Sequence, residues 1–129
     1  KSLAFNLDID PQAGSVYVSR LYLEELLQNF ITNAIKYTPR GAITLMVRRQ
    51  QTHVTISVKD TGIGIGKSDL NKIFDRFYRA EDYRTRQTSG TGLGLYIARK
   101  LAQKLETTIH VTSRLNHGSI FSFTLPIYH

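Results

Sequence analysis

In the stretch "NFITNAIK", Asn29, Asn33 and Lys36 stand four and then three positions apart. On a helix, that spacing stacks all three on one side. Two carboxamides and an ammonium along one stripe could serve a divalent cation and a phosphate together. Magnesium accepts neutral oxygen ligands and usually keeps water and phosphate around it. A solvated polar face would give the same pattern. A second candidate is Asp60, which opens "DTGIGIG" where a strand-like run ends. Its carboxylate could accept a hydrogen bond from an exocyclic amine, and Gly62, Gly64 and Gly66 would let backbone approach a flat ligand. The plainer reading is a tight loop with a capping aspartate. A third is "SGTGLGLYIARK", which places Gly90, Gly92 and Gly94 at the start of a helical pattern. Helix N-termini present unpaired N–H groups and bind anions. Glycine inside a helix costs up to ~1 kcal/mol against alanine, so these glycines serve either close helix packing or a phosphate cradle. Neither glycine run has the spacing of GxxxxGK[ST] or of a GxGxxG loop within a βαβ unit. Taken together, the three groups would satisfy a purine nucleoside triphosphate with magnesium.

The elements that must position these groups follow from periodicity. Leu3, Phe5, Leu7 and Ile9 alternate with polar residues, which predicts a half-buried strand. Val16 to Val18 is at most a second short strand. Ser19 is a fitting N-cap for a long helix through Lys36, with Leu23, Leu26, Leu27, Phe30, Ile31 and Ala34 at helical spacing, stopped by Pro39 and Gly41. "AITLMVRRQ" and "HVTISVKD" form a hairpin. Asp69 to Asp75 reads as a short helix, Arg76 to Gly90 as a long mobile loop, and Thr91 to Leu105 as a second long helix. "TIHVTS" and "IFSFTLP" are two more strands, joined through the Asn116-His117-Gly118 turn. Strands arriving as hairpins among helices predict an α+β sandwich, with one largely antiparallel or mixed sheet covered on one face.

The chain has 129 residues, 41% hydrophobic and 21% charged, which suits one globular domain spanning 1–129. It has no cysteine, which excludes disulfides, thiolate chemistry and a cysteine-bound zinc, and suits a reducing compartment. The net charge of +7 suits nucleic acid, an anionic membrane or a phosphate ligand. The densest basic run holds Arg76, Arg79, Arg84 and Arg86, and a triphosphate explains it better than nucleic acid does. No apolar run approaches membrane-span length. The sequence opens mid-pattern, without methionine, as expected of a domain cut from a parent that could itself be membrane-anchored.

"NFITNAIKYTP", "DTGIGI", "IFDRFYRAED" and "GTGLGL", in that order, resemble the N, G1, F and G2 boxes of sensor histidine kinases, with a similar closing "GSIFSFTLP". The resemblance runs from about Leu3 to Pro126. It implies the ATP-binding catalytic domain of a two-component kinase, in the wider group that includes DNA gyrase, Hsp90 and MutL. The implied Bergerat fold is a mixed, mostly antiparallel sheet of about five strands with about three helices on one face and a mobile ATP lid over about 76–91. The implied ligands are ATP and Mg2+. Asn33 resembles the magnesium-binding asparagine, with Asn29 supporting it or touching phosphate. Lys36 resembles the phosphate-contacting lysine, and Tyr37 flanks the nucleotide. Asp60 resembles the aspartate that recognises the adenine amine, with Gly62 and Gly64 giving the base room. Phe74 and Phe77 match the lid-anchoring box, and Arg79 matches an arginine that reaches the terminal phosphates. Gly90, Thr91, Gly92, Leu93 and Gly94 match the segment where lid meets helix. Ile65, Ile73 and Leu95 would be pocket wall or ordinary core.

The related ATPases carry a water-activating glutamate where this chain has Asn29, so the resemblance implies phosphoryl transfer rather than hydrolysis. None of His53, His110, His117 and His129 lies in a motif like the family's H-E-[LF]-R-T-P. The acceptor histidine is therefore expected on a separate dimerisation domain absent from this chain, with a response regulator downstream. The domain itself is expected in the cytoplasm, without nucleic-acid or direct membrane contact. A non-catalytic nucleotide-sensing module and a serine-kinase or ATPase relative are the alternatives. Glu106 and Thr107 stand where the family often has a glycine pair, Asn116 replaces a turn glycine, and Ser19 stands where an aspartate often caps the long helix.

Overall fold

The computed structural model describes residues 2–75 and 94–128. In chain order these form β1 (Ser2–Ile9), α1 (Arg20–Tyr37), β2 (Arg40–Gln50), β3 (His53–Asp60), α2 (Gly94–Lys104), β4 (His110–Arg114) and β5 (Gly118–Pro126). The strands make one five-stranded sheet in the order β1-β2-β3-β5-β4. β1 runs parallel to β2, and the other neighbours are antiparallel. The expected mixed, mostly antiparallel sheet is thus present, and the two helices described pack on one of its faces. No helix among the described residues is long and apolar enough to cross a membrane.

Alternation within the strands builds the core. Val54, Ile56 and Val58 of β3 pair in register with Leu125, Phe123 and Phe121 of β5, and all six are buried. Leu26, Phe30 and Ala34 of α1 descend on this surface, and Phe30 sits 5.4 Å from Phe121 and 6.0 Å from Phe123 between ring centroids. Ala98, Leu101 and Ala102 bring α2 in beside α1. Small side chains on α2 allow that close approach.

Local chemistry sets the element ends. Ser19 caps α1 as expected, its Oγ accepting from the Tyr22 N–H at 3.3 Å. α2 ends in a Schellman-type cap: the Glu106 N–H donates to Gln103 O and the Thr107 N–H to Ala102 O. Glu106 adopts a φ of 59° there, the left-handed conformation that glycine usually supplies. Asn116 does the same in the β4–β5 turn at φ 68°.

Three expectations need correction. Val16 to Val18 forms no strand; it lies in irregular chain leading into the Ser19 cap. Asp69 to Asp75 is not an α-helix but a series of turns, with bonds from Asp69 N to Gly66 O, Lys72 N to Asp69 O and Asp75 N to Lys72 O. So short a segment, with aspartates and an asparagine that compete for backbone groups, does not sustain α-helical nucleation. β1 forms as predicted but is not half-buried along its length. Phe5, Leu7 and Ile9 are 51%, 66% and 48% exposed. They pair with Ile43, Leu45 and Val47, so they continue the core-facing side of the sheet onto its edge, beyond α1 and α2.

Candidate functional site

Asp60 is the next residue in the inward series Val54, Ile56, Val58, so its carboxyl is carried into the protein with them and is 5% exposed. Its Oδ1 accepts the Gly62 N–H at 2.9 Å. Burial pushes the carboxyl above the ordinary carboxylate range, while the N–H groups of Gly62 and Ser119 and the Thr38 hydroxyl pull the other way. Thr38 itself is fully buried at the end of α1, and its Oγ1 has no partner of hydrogen-bond geometry among the described residues. A buried carboxyl and a buried hydroxyl thus lie side by side. Such groups are costly unless something pairs with them.

The loop after Asp60 is clamped from two sides. The Ile63 N–H donates to Tyr37 O at 3.0 Å, and Ile63 O accepts from the Asn116 N–H at 2.7 Å. A Cβ on Gly62 would lie 2.1 Å from Tyr37 O, and one on Gly64, at φ 72°, 2.1 Å from Arg114 O. These two glycines are required by contacts with the chain's own backbone. Their smallness is accounted for without a flat ligand.

On α1, Asn29 and Asn33 are half-buried and Lys36 is exposed in the last turn, all on one side as the spacing predicts. The Asn29 Nδ2 donates to Glu25 O at 2.9 Å. The Asn29 Oδ1 faces the start of α2, 3.8 Å from where a Gly94 Cβ would stand. Gly94 opens α2 in helical backbone, and among the described residues nothing closer bars a side chain there. No group of three or more His, Cys, Asp or Glu able to hold a metal occurs among the described residues. A cation here would depend on carboxamide oxygen, water and ligand phosphate, a set that suits magnesium.

Of the expected site residues, Asn29, Asn33 and Lys36 share one side of α1, Asn29 faces the start of α2 at Gly94, and Tyr37 meets the loop after Asp60 that holds Gly62, Gly64 and Ile65. Ile65 and Leu95 are partly buried against the core, and Ile73 is core itself. Phe74 meets Phe121 edge-on at 6.4 Å. Phe77, Arg79, Gly90, Thr91, Gly92, Leu93 and the expected lid at about 76–91 lie outside the described residues. Sequence reading missed Thr38 and Ser119. Ser119 could have been found from its phase, since it shares the inward series of Phe121, Phe123 and Leu125. Thr38 carried no such signal, because its burial arises only when the β3 loop folds back over the end of α1.

This fold is that of a known ATPase family. Residues 19–129 match the family described as histidine kinase-, DNA gyrase B- and HSP90-like ATPase, and the chain belongs to it. Within that family it is similar to sensor histidine kinases. It is 44% identical over 107 residues to the sensor histidine kinase WalK of Bacillus subtilis, which covers 81% of this chain and 18% of that protein. The catalytic domain of histidine kinase ThkA superposes with a TM-score of 0.79 at 30% identity, covering 96% of this chain and 80% of that one. Full-length ShkA, solved in complex with AMPPNP, gives a TM-score of 0.77 at 26% identity, covering 96% of this chain and 25% of that one. The chain spans less than a third of the length of WalK, RppB and SenX3, the first curated relatives it matches.

Proposed function

We propose that this domain binds Mg·ATP and donates the γ-phosphoryl group to a histidine on a separate dimerisation domain, in signalling to a response regulator. The observation that carries the reading is Asp60: a carboxyl buried at the end of β3 beside the buried Thr38 hydroxyl at the end of α1. Asp60 accepts from the adenine amine. Asn33 supplies a neutral oxygen to magnesium, whose role is to neutralise charge on the β- and γ-phosphates. Lys36, and Arg79 from outside the described residues, answer the remaining phosphate charge. One Asn29 amide N–H is given to Glu25 O. Its Oδ1 remains for the cation or a cation-bound water, and its second N–H for a phosphate oxygen.

Transfer is favoured over hydrolysis because no carboxylate occupies position 29 to activate water. An imidazole nitrogen of the acceptor forms its bond to the γ-phosphorus as the bond to the bridging oxygen of ADP breaks. The imidazole proton passes to a base on the acceptor's own domain. The test joins this chain to a helical domain carrying the acceptor histidine and supplies γ-labelled ATP. Acid-labile, base-stable label on the acceptor is expected. Acid-stable label would support a serine kinase instead, and phosphate release without labelled protein an ATPase.

Gly94 separates ligand from fold. Alanine there should leave the melting midpoint unchanged or slightly raised, since helical glycine costs up to ~1 kcal/mol. The added methyl would point at Asn29 Oδ1, and ATP should bind roughly fivefold more weakly by calorimetry. The same substitution without effect on ATP would place the phosphates away from the start of α2.

A further inference from the structure

The structure assigns Ser113 of β4 a role that sequence reading did not: it is a positioning residue that fixes which way the Ser119 hydroxyl points, and thereby excludes guanine from the adenine site. The inference rests on the adenine reading of Asp60. Asp60, Ser119 and Ser113 are register partners across β3, β5 and β4, so they form one row on the core-facing side of the sheet. Ser113 Oγ lies 2.8 Å from the Ile65 N–H, 2.9 Å from Gly118 O and 2.7 Å from Ser119 Oγ.

A serine hydroxyl has one proton and two lone pairs. Ile65 N–H can only donate and Gly118 O can only accept. Ser113 therefore accepts from Ile65 and gives its proton to Gly118. One lone pair remains for Ser119, so the Ser119 hydroxyl must donate to Ser113. Its own lone pairs are then all that hydroxyl can offer elsewhere. The row beside the base is thus made of acceptors.

Adenine presents an amine to such a row. Guanine presents a carbonyl oxygen in the same place, and acceptor against acceptor is unpaired and repulsive. If Ser113 is removed, Ser119 is free to rotate and donate to that carbonyl.

The experiment titrates ATP and GTP against the wild-type chain, Ser113→Ala, Ser113→Thr and Ser113→Ala/Ser119→Ala. Wild type should prefer ATP. Ser113→Ala should narrow the ATP-to-GTP affinity ratio by about fivefold to tenfold, the size expected for one hydrogen bond gained by the wrong ligand. Ser113→Thr keeps the hydroxyl and should keep the ratio, and the double variant should lose the GTP gain. A loosened loop alone would weaken both nucleotides in proportion and leave the ratio intact, which would overturn the role of Ser113. A wild-type chain with no preference for ATP would instead overturn the adenine reading of Asp60.

Discussion

Asp60→Asn should lower ATP affinity by about tenfold to a hundredfold, the range for losing a hydrogen bond to a charged group, and should erode the preference for ATP over GTP. The substitution keeps the shape of the side chain and an oxygen for the Gly62 N–H. It places an NH2 where the second carboxyl oxygen stood, so donor would face donor at the adenine amine. The melting midpoint distinguishes lost binding from lost fold. The folded-state pKa of Asp60 is raised, chiefly by burial. The folded chain therefore holds this proton more tightly than the unfolded chain, and ionised Asp60 works against folding. That penalty is absent below the unfolded value, grows as pH rises to the folded value and is complete above it. At neutral pH the asparagine variant should thus melt no lower than wild type. ATP affinity of wild type should begin to fall at a pH above the ordinary carboxylate range, as the acceptor is protonated. The variant should lack that component, since titration of the phosphates is common to both proteins. Unchanged affinity and base preference in Asp60→Asn would remove Asp60 from the site.

Asn33→Ala should reduce phosphoryl transfer to a joined acceptor domain by about a hundredfold or more, because a cation in such a site contributes several kcal/mol to the transition state. Asn33 sits one turn beyond Asn29, half-buried on the same side of α1, and is not among the groups that bond to the Asp60 carboxyl. Adenine binding should accordingly survive: ATP affinity measured without divalent cation should stay within about threefold of wild type. The added affinity that magnesium confers should vanish. Transfer retained at wild-type rate would show that the metal is held without Asn33.

Much of this architecture can be read locally. The Ser19 cap, the helical stripe of Asn29, Asn33 and Lys36, the hairpin of β2 and β3 and the turn through Asn116 depend on neighbours in sequence. So does the placing of Asp60 at a strand end. What alternation could not reveal is which inward side chains find a cover. Phe5, Leu7 and Ile9 keep a strand's periodicity, yet their exposure depends on how far α1 and α2 reach across the sheet. The contacts of the loop glycines were not legible for a related reason. Their partners, Tyr37 O and Arg114 O, arrive from distant parts of the chain, and no local pattern announces a backbone contact. Ser113 and Ser119 read as ordinary strand serines until register places them in line with Asp60.

The sheet also has a seam. β2 with β3, and β4 with β5, are hairpins that can close quickly, since their ends are near in sequence. The pairing of β3 with β5 must wait for everything between Asp60 and Gly118 to be gathered in. Asp60 stands on one side of that seam and both serines on the other. The row of Asp60, Ser119 and Ser113 therefore does not exist in either half; it is assembled when the two hairpins dock. A ligand held across it would act as a clasp on the pairing whose strands stand furthest apart in sequence. The chain threaded between the halves can vary in length at little cost, about 0.6 kcal/mol for each doubling of a closed loop.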